Sequence, residues 1–197
     1  MRRRDDARHS RQRARILEVA QRCFAVGGFH QTGMAEICAA AGMSPGALYR
    51  YFDSKQAIIE AMAEQERQDN RRALAPLATA DNVIDGLLRV VAGLAPMWGS
   101  RAAGRLTLEV GAEAARNDRI AEIFAAADAD VRELLTAALR TGQERGEVRR
   151  NLDPAATAFV LIALVDGLIG RGAFPLPVPR KAVSAALADL IRRLLAP

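Results

Sequence analysis

The sequence is poor in the residues that build disulfide frameworks, metal centres and catalytic sites. Its 197 residues include two cysteines and two histidines. Cys23 and Cys38 lack the C-x-x-C spacing of metal sites and are too few for a disulfide-stapled domain, which favours a reducing compartment. His9 and His30 lie near the N-terminus, so the rest of the chain has no histidine to act as a metal ligand or general base. Since nucleophile motifs and phosphate-cradling glycine loops are also missing, we expect no enzyme activity, no metal and no cofactor.

Aromatic residues are equally scarce, and no sustained run alternates apolar with polar side chains. The chain contains 1 Trp, 2 Tyr and 6 Phe, yet 50% of its residues are hydrophobic. These hydrophobic residues recur at spacings of three and four, which is typical of amphipathic helices. The pattern predicts an all-α protein of about nine helices with a sizeable core.

The N-terminus is charged and is not followed by an apolar stretch of the signal-peptide type. The most apolar segment, residues 155–169, is shorter than the roughly 20 residues of a membrane-spanning helix. We therefore expect a buried helix in a cytoplasmic protein, without membrane contact.

The net charge of +5 is concentrated at one end of the chain. Residues 1–56 contain 10 Lys and Arg against 5 Asp and Glu, whereas residues 57–197 contain 18 of each sign. This asymmetry predicts an N-terminal domain (1–56) with a basic arm (1–9) that meets a polyanion, and a neutral domain (57–197) with another task. A basic tail that only keeps the protein soluble is the alternative that charge alone leaves open.

Three short helical segments occupy the N-terminal domain. The first, 10–26, ends at Gly27 and Gly28, and the second, 34–41, ends at Gly42, where a left-handed cap is expected. Ser44 and Pro45 are typical of the first positions of a third helix, which runs to residue 52. This spacing predicts a helix-turn-helix whose second helix can enter a major groove and displays Ala47, Tyr49 and Arg50 outward.

A fourth helix is predicted from Asp53 and Ser54, with Asp53 and Gln56 as a capping-box-like start, to about residue 73, followed by a linker at 74–82. Lys55 falls in its first turn, where a cation opposes the helix dipole. A bound anion would explain this lysine, because helix N-termini hold phosphate through their free amides.

Residues 28–37 and 42–55, with Leu48-Tyr49-x-x-Phe52-x-x-Lys55 at their centre, closely resemble the signature of the TetR family of transcription regulators. The resemblance implies contacts with DNA at the helix-turn-helix and a phosphate contact for Lys55, although Gly33 stands where the family often has a second threonine. Tyr49 and Tyr51 could instead be packing aromatics. The predicted DNA-binding set is Thr32, Gly33, Ser44, Pro45, Gly46, Ala47, Tyr49, Arg50, Tyr51 and Lys55.

The N-terminal arginines leave two possibilities open. They are either a disordered arm or a segment that reaches phosphates and the minor groove. The residues concerned are Arg2, Arg3, Arg4, Arg8, Arg11 and Arg13.

Further helices are predicted at 83–97, 101–115, 118–146, 153–170 and 179–196. Residues 109–135, 146–148 and 153–154 are similar to a betaine-regulator-like C-terminal domain, which implies a ligand-binding domain but does not transfer a ligand. Core packing is the alternative for each apolar residue, and Glu109 and Glu113, at i and i+4, are expected on a solvated face. The predicted effector pocket is Met97, Trp98, Leu106, Glu109, Val110, Ile123 and Phe124.

The last two helices are apolar over wide arcs, which predicts a four-helix bundle between two chains. A two-fold dimer would present two recognition helices to major grooves about 34 to 36 Å apart and so select a palindromic operator. The predicted interface is Phe159, Ile162, Leu164, Val183, Leu187, Leu190, Ile191 and Leu194.

Together these features predict a homodimeric repressor, associated with the nucleoid in the cytoplasm, that an unidentified small-molecule effector releases from its operator. The alternatives are a non-catalytic helical bundle that binds a small molecule, and a constitutive DNA-binding protein without an effector.

Overall fold

The computed structural model of the chain describes residues 2–175 and 178–197, and these form nine α-helices and no strand. The prediction of an all-α fold is therefore confirmed. A short 3-10 turn, Ala95–Met97, joins the fifth and sixth helices. The helices are α1 (Arg2–Gln31), α2 (Met34–Ala41), α3 (Pro45–Tyr49), α4 (Lys55–Ala78), α5 (Val83–Leu94), α6 (Arg101–Ala114), α7 (Asp118–Glu144), α8 (Pro154–Arg171) and α9 (Arg180–Leu195).

Side-chain caps determine where most helices begin. The predicted cap of α3 is confirmed, because Ser44 Oγ accepts the Ala47 amide at 3.3 Å. The capping box of Asp53 and Gln56 is wrong: Ser54 has the extended backbone of an N-cap, and its hydroxyl accepts the Ala57 amide at 3.0 Å. The other helices with side-chain caps begin after Asn82, Ser100, Asn117 and Asp153.

Three predicted boundaries are wrong. Helix α3 ends at Tyr49 rather than at residue 52. Helix α1 begins at Arg2 rather than near Ser10. Helix α4 continues to Ala78 through most of the expected linker, since buried Leu74 packs into the C-terminal core. Pro76 lies in the last turn of α4, where it removes the hydrogen bond to the Arg72 carbonyl, and the helix ends two residues later.

The apolar residues form two cores. The N-terminal core is built on α1 to α4 but also contains Ile120 of α7, with side chains of α6 and α7 packed against it. The C-terminal core joins α5, α7, α8 and α9. Apolar packing thus crosses the predicted domain boundary at residue 56, which places the middle helices directly against the N-terminal unit.

Helix α8 is not buried on all sides, as its composition had suggested. It is the one described helix long and apolar enough, at a mean hydropathy of 1.5, to cross a membrane by length and composition, and only 28% of it is buried. The side chain of Phe159 is 62% exposed. The expectation of a fully buried helix is therefore wrong for a single chain, and α8 leaves an apolar face uncovered.

Candidate nucleic-acid interface

Helices α2 and α3 form the predicted helix-turn-helix. Gly42 ends α2 in the left-handed conformation at φ 63°, and its amide donates to the Ala39 carbonyl at 3.1 Å. Leu48 and Phe52 are buried in the N-terminal core, so the opposite side of α3 faces outward. This arrangement holds a short helix rigidly at the surface.

The outward side of α3 is accessible to a partner. Arg50 is exposed, and the side chain of Tyr49 is 48% exposed. Space for a close approach of a phosphate surrounds Gly46, because a Cβ there would meet no atom within 4 Å. Ser44 and Pro45 are exposed at the start of the helix, and Ala47 is half-buried. The DNA contacts of these residues stay predictions that their exposure allows.

Thr32 does not belong to this surface. Its side chain is fully buried, and its hydroxyl donates to the Cys23 carbonyl at 3.3 Å. The structure therefore contradicts the predicted phosphate contact of this hydroxyl. Gly33 remains accessible, since no atom lies within 4 Å of a Cβ placed there, and no side chain caps the amides that open α2.

The side chain of Tyr51 also packs against the protein. Its ring is half-buried and stacks on the His9 ring, with centroids 4.7 Å apart. The packing alternative describes Tyr51 better than direct DNA contact, whereas Tyr49 faces solvent. The two neighbouring tyrosines therefore have different surroundings.

Lys55 has a structural task that the sequence did not indicate. Its ammonium donates to the carbonyls of Phe29 at 2.7 Å and His30 at 3.3 Å. These carbonyls lie at the end of α1, where a cation is favourable. These two hydrogen bonds explain a lysine at the start of α4 without a bound anion, contrary to the expectation from the sequence. A third N–H of the ammonium is available to a phosphate, so that contact stays a prediction.

Glu109 of α6 meets the same segment from the other side. Its Oε1 accepts the Phe29 amide at 2.8 Å. Gly28 bends α1 at φ 78°, and a Cβ at Gly28 would lie 2.8 Å from the same oxygen. We call residues 28–30 the junction. Glu109 of α6 accepts its Phe29 amide, and Lys55 of α4 donates to its Phe29 and His30 carbonyls. Glu109 is half-buried and has a specific partner that the expectation of a solvated face did not include, whereas its place in an effector pocket stays a prediction. No local signal could have revealed a partner 80 residues away.

Most residues of the predicted effector pocket divide between the two cores. Trp98 is 1% exposed in the C-terminal core, and its indole N–H donates to Ser184 Oγ at 3.1 Å. Met97 lies exposed on the turn before α6. The remaining apolar members pack partly buried against the N-terminal core, at some distance in the fold from that turn: Leu106, Val110, Ile123 and Phe124. Packing requirements, not a ligand, explain their spacing.

Carboxylates from α4 and α8 form a different candidate. Glu66 and Asp166 are reached by solvent. Burial nevertheless raises the pKa of Glu66, with the charges of Asp166 and Asp69 adding to the effect. Burial, together with the charge of Asp128, also raises the pKa of Asp166. The charge of Asp166 acts on Glu66, so the two carboxylates lie near each other although α4 and α8 are far apart along the chain. Their separation of 100 residues hid this pair from sequence reasoning.

The apolar residues of α8 and α9 divide between core and surface. Leu187 and Ile191 are buried in the C-terminal core, and Ile162 and Leu194 pack against it, so packing within one chain already explains the apolar character of Leu187 and Ile191. Their contact with a partner stays a prediction. Phe159 and Leu190 are exposed. A groove of about 320 Å³ lies between the two helices, lined by Leu164, Leu168, Val178, Ala182, Val183, Ala186, Leu187 and Leu190.

Comparisons with known proteins agree with this arrangement. Residues 16–62 match the model for bacterial regulatory proteins of the tetR family, and residues 84–196 match the C-terminal domain of BetI-type transcriptional repressors. The regulator UidR of Escherichia coli K12 is 32% identical over 161 residues, covering 80% of this chain and 79% of UidR. TtgR of Pseudomonas putida is 28% identical over 179 residues, covering 81% and 79%.

Solved structures show the same fold. Salmonella enterica GusR superimposes with a TM-score of 0.75 at 30% identity, over 93% of this chain and 95% of GusR. A regulator from Saccharomonospora viridis, solved in complex with choline, gives a TM-score of 0.77 at 26% identity, over 95% and 99%. The expected resemblance is confirmed, and the chain belongs to the TetR family of helix-turn-helix transcriptional regulators, with a BetI-type C-terminal domain.

Proposed function

We propose that this TetR-family regulator is a homodimeric repressor that binds a palindromic operator and leaves it when a small molecule binds the C-terminal domain. The observation that carries the proposal is the combination of an exposed recognition helix with an uncovered apolar face on α8 and α9. The first surface suits a major groove, and the second suits another copy of the chain.

The dimer is supported by the apolar groove and by the large apolar side chains that residues 159–190 leave exposed. Large exposed apolar patches mark interaction surfaces in soluble proteins. Pairing two copies through α8 and α9 would cover these side chains with a self-complementary contact and give the two-fold symmetry that a palindrome requires. The exposed members are Phe159, Val160, Phe174, Val178 and Leu190.

The route from effector to DNA passes through the junction. Glu109 holds the Phe29 amide from α6, and Lys55 holds the Phe29 and His30 carbonyls from α4. Because α2 begins at Met34, four residues after His30, a shift of α6 against α4 changes the position of the helix-turn-helix. Couplings of about 1 to 3 kcal/mol are typical of such linkage.

We propose that the effector binds beside Glu66 of α4 and Asp166 of α8, two carboxylates whose charges act on the same part of the surface. A cation there would relieve the repulsion and desolvation that raise the pKa of both carboxyl groups. The choline bound to the Saccharomonospora viridis regulator makes a quaternary ammonium the first compound to try. TetR-family regulators are cytoplasmic, and binding of an operator would place this one on the nucleoid.

The test is fluorescence anisotropy of the purified protein on DNA from upstream of its own gene, with random DNA as competitor and a salt series. We expect saturable binding that weakens with salt and falls strongly in Arg50→Ala and Tyr49→Ala. Choline is then titrated against the complex. Arg140→Ala, at an exposed position of α7, is the control for general loss of charge.

Binding no tighter than to random DNA would call for a genome-wide operator search. Failure of that search as well would favour the helical small-molecule-binding bundle. Specific binding that no compound weakens would favour the constitutive DNA-binding protein.

A further inference from the structure

The start of α1 carries arginines that have no counterion within the described residues. Arg8, Arg11 and Arg15 are exposed, and none of the ion pairs in that part of the chain includes them. The buried residues of α1 begin at Ile16. These arginines therefore precede the part of α1 that forms the core, and core packing does not explain them.

Specific contacts hold this part of α1 against the helix-turn-helix. The His9 ring stacks on Tyr51, and the Arg13 guanidinium lies 4.8 Å from the centre of the Phe52 ring. Gln12 Nε2 donates to the sulfur of Met43 at 3.3 Å. The segment is therefore a docked helix, unlike the disordered arm that its composition allowed.

The three arginines share one side of this helix. At about 100° per residue, Arg8, Arg11 and Arg15 fall within an arc of roughly 60°. That arc begins about 40° from Gln12, the residue that contacts Met43. Met43 directly precedes Ser44, the cap of the recognition helix. The arginine stripe thus borders the docked side of α1 at Gln12 and faces solvent beyond it, outside the contacts with the helix-turn-helix.

We propose that the start of α1 is a second DNA-contacting element, in which Arg8, Arg11 and Arg15 bind the phosphates of duplex DNA that flanks the major-groove site. The span from Arg8 to Arg15 is about 10 Å at 1.5 Å per residue, comparable with the three intervals of about 3.4 Å that separate four successive phosphates along one strand. Phosphate contacts of this kind set register and add affinity without reading sequence. The inference rests on DNA binding by the helix-turn-helix and extends its footprint.

The test compares the salt dependence of operator binding in two triple variants. Arg8→Gln, Arg11→Gln and Arg15→Gln together remove the stripe and retain helix-forming side chains. Arg89→Gln, Arg101→Gln and Arg140→Gln remove the same charge from exposed positions of the C-terminal domain. Circular dichroism and thermal unfolding verify that both variants fold.

We expect the slope of log affinity against log salt to become shallower by about 0.9 for each lost phosphate contact, approaching 2.7 per half-site, in the first variant alone. Affinity at low salt should fall on the order of tenfold or more. Trimming the operator to the palindrome should remove the difference between wild type and the first variant. Equal slopes for the two triple variants on the long operator would overturn the inference and leave the proposed function intact, whereas a wild type that binds no DNA would overturn both.

Discussion

The two halves of the molecule leave different surfaces unsatisfied. Every ion pair in the described part of the chain joins residues from 60 onward, so the arginines of the N-terminal unit carry uncompensated charge. The C-terminal domain neutralises its charges internally, as where Arg67 and Arg71 both bind Asp130 and lower its pKa. It exposes apolar side chains instead. The N-terminal half lacks counterions for its arginines, which suits a polyanion. The C-terminal half exposes apolar side chains, which suit another apolar surface.

The largest effect should come from placing a charge in the apolar face. Leu190→Glu would bury an unpaired carboxylate between two copies, which costs several kcal/mol. We expect dimers to dissociate at micromolar concentration in analytical ultracentrifugation, with a matching loss of operator binding. Leu134→Glu is the control, because Leu134 on α7 is equally exposed, at 45% against 46%. Intact dimers of the Leu190 variant would show that this face is not the interface.

Next in size is a backbone change at the junction. Gly28→Ala adds a methyl group at φ 78°, where it also approaches Glu109 Oε1 at 2.8 Å. Strain of about 1 to 3 kcal/mol is expected, and chemical denaturation measures it as a lower free energy of unfolding. Gly93→Ala, in α5 with no neighbour within 4 Å, should be neutral or stabilising. A Gly28 variant as stable as wild type would contradict the tight fit described for the junction.

A smaller loss should follow when Glu109 loses its charge. Glu109→Gln weakens the acceptor of the Phe29 amide, and hydrogen bonds to charged groups contribute about 1.5 to 3 kcal/mol. We expect lower stability and a weaker response of operator affinity to the effector. The control is Glu113→Gln, one turn later on α6, where the ion pair with exposed Arg116 contributes under about 1 kcal/mol. Identical behaviour of the two variants would remove Glu109 from the route between the halves.

The Glu109 contact also marks the limit of what the sequence could predict. Ser44, Pro45 and Gly42 act within four residues of themselves, so their patterns identified the helix-turn-helix correctly. Glu109 and Phe29 are 80 residues apart, and only the packed fold brings them together. The sequence predicted Thr32 in the DNA-binding set and Trp98 in the effector pocket, but both side chains are buried. Residue type alone does not tell whether a side chain points to the core. Surfaces built within one helix were predictable, and sites between helices were not.

The smallest effect concerns Glu66 and takes the form of a pH dependence. Its raised pKa means that the folded state binds the proton more tightly than the unfolded state. Stability should therefore fall as pH rises from about 4.3, the ordinary glutamate value, through the raised pKa, and stay lower above it. Glu66→Gln should flatten this part of the profile and raise the melting temperature at pH 7 without effector. Glu64→Gln, on the same helix, is the control, and parallel profiles for the two variants would contradict the desolvation of Glu66.

The hydrogen bond between Trp98 and Ser184 allows the packing of α9 to be followed by tryptophan fluorescence. Trp98 is the one tryptophan in the sequence, is almost completely buried, and ties the turn after α5 to α9. Its emission therefore arises from a single site with a known partner on one of the two helices of the apolar face. Loosening of α9 would let water reach the indole and shift that emission to longer wavelength, so assembly and unfolding can both be followed in the unlabelled protein.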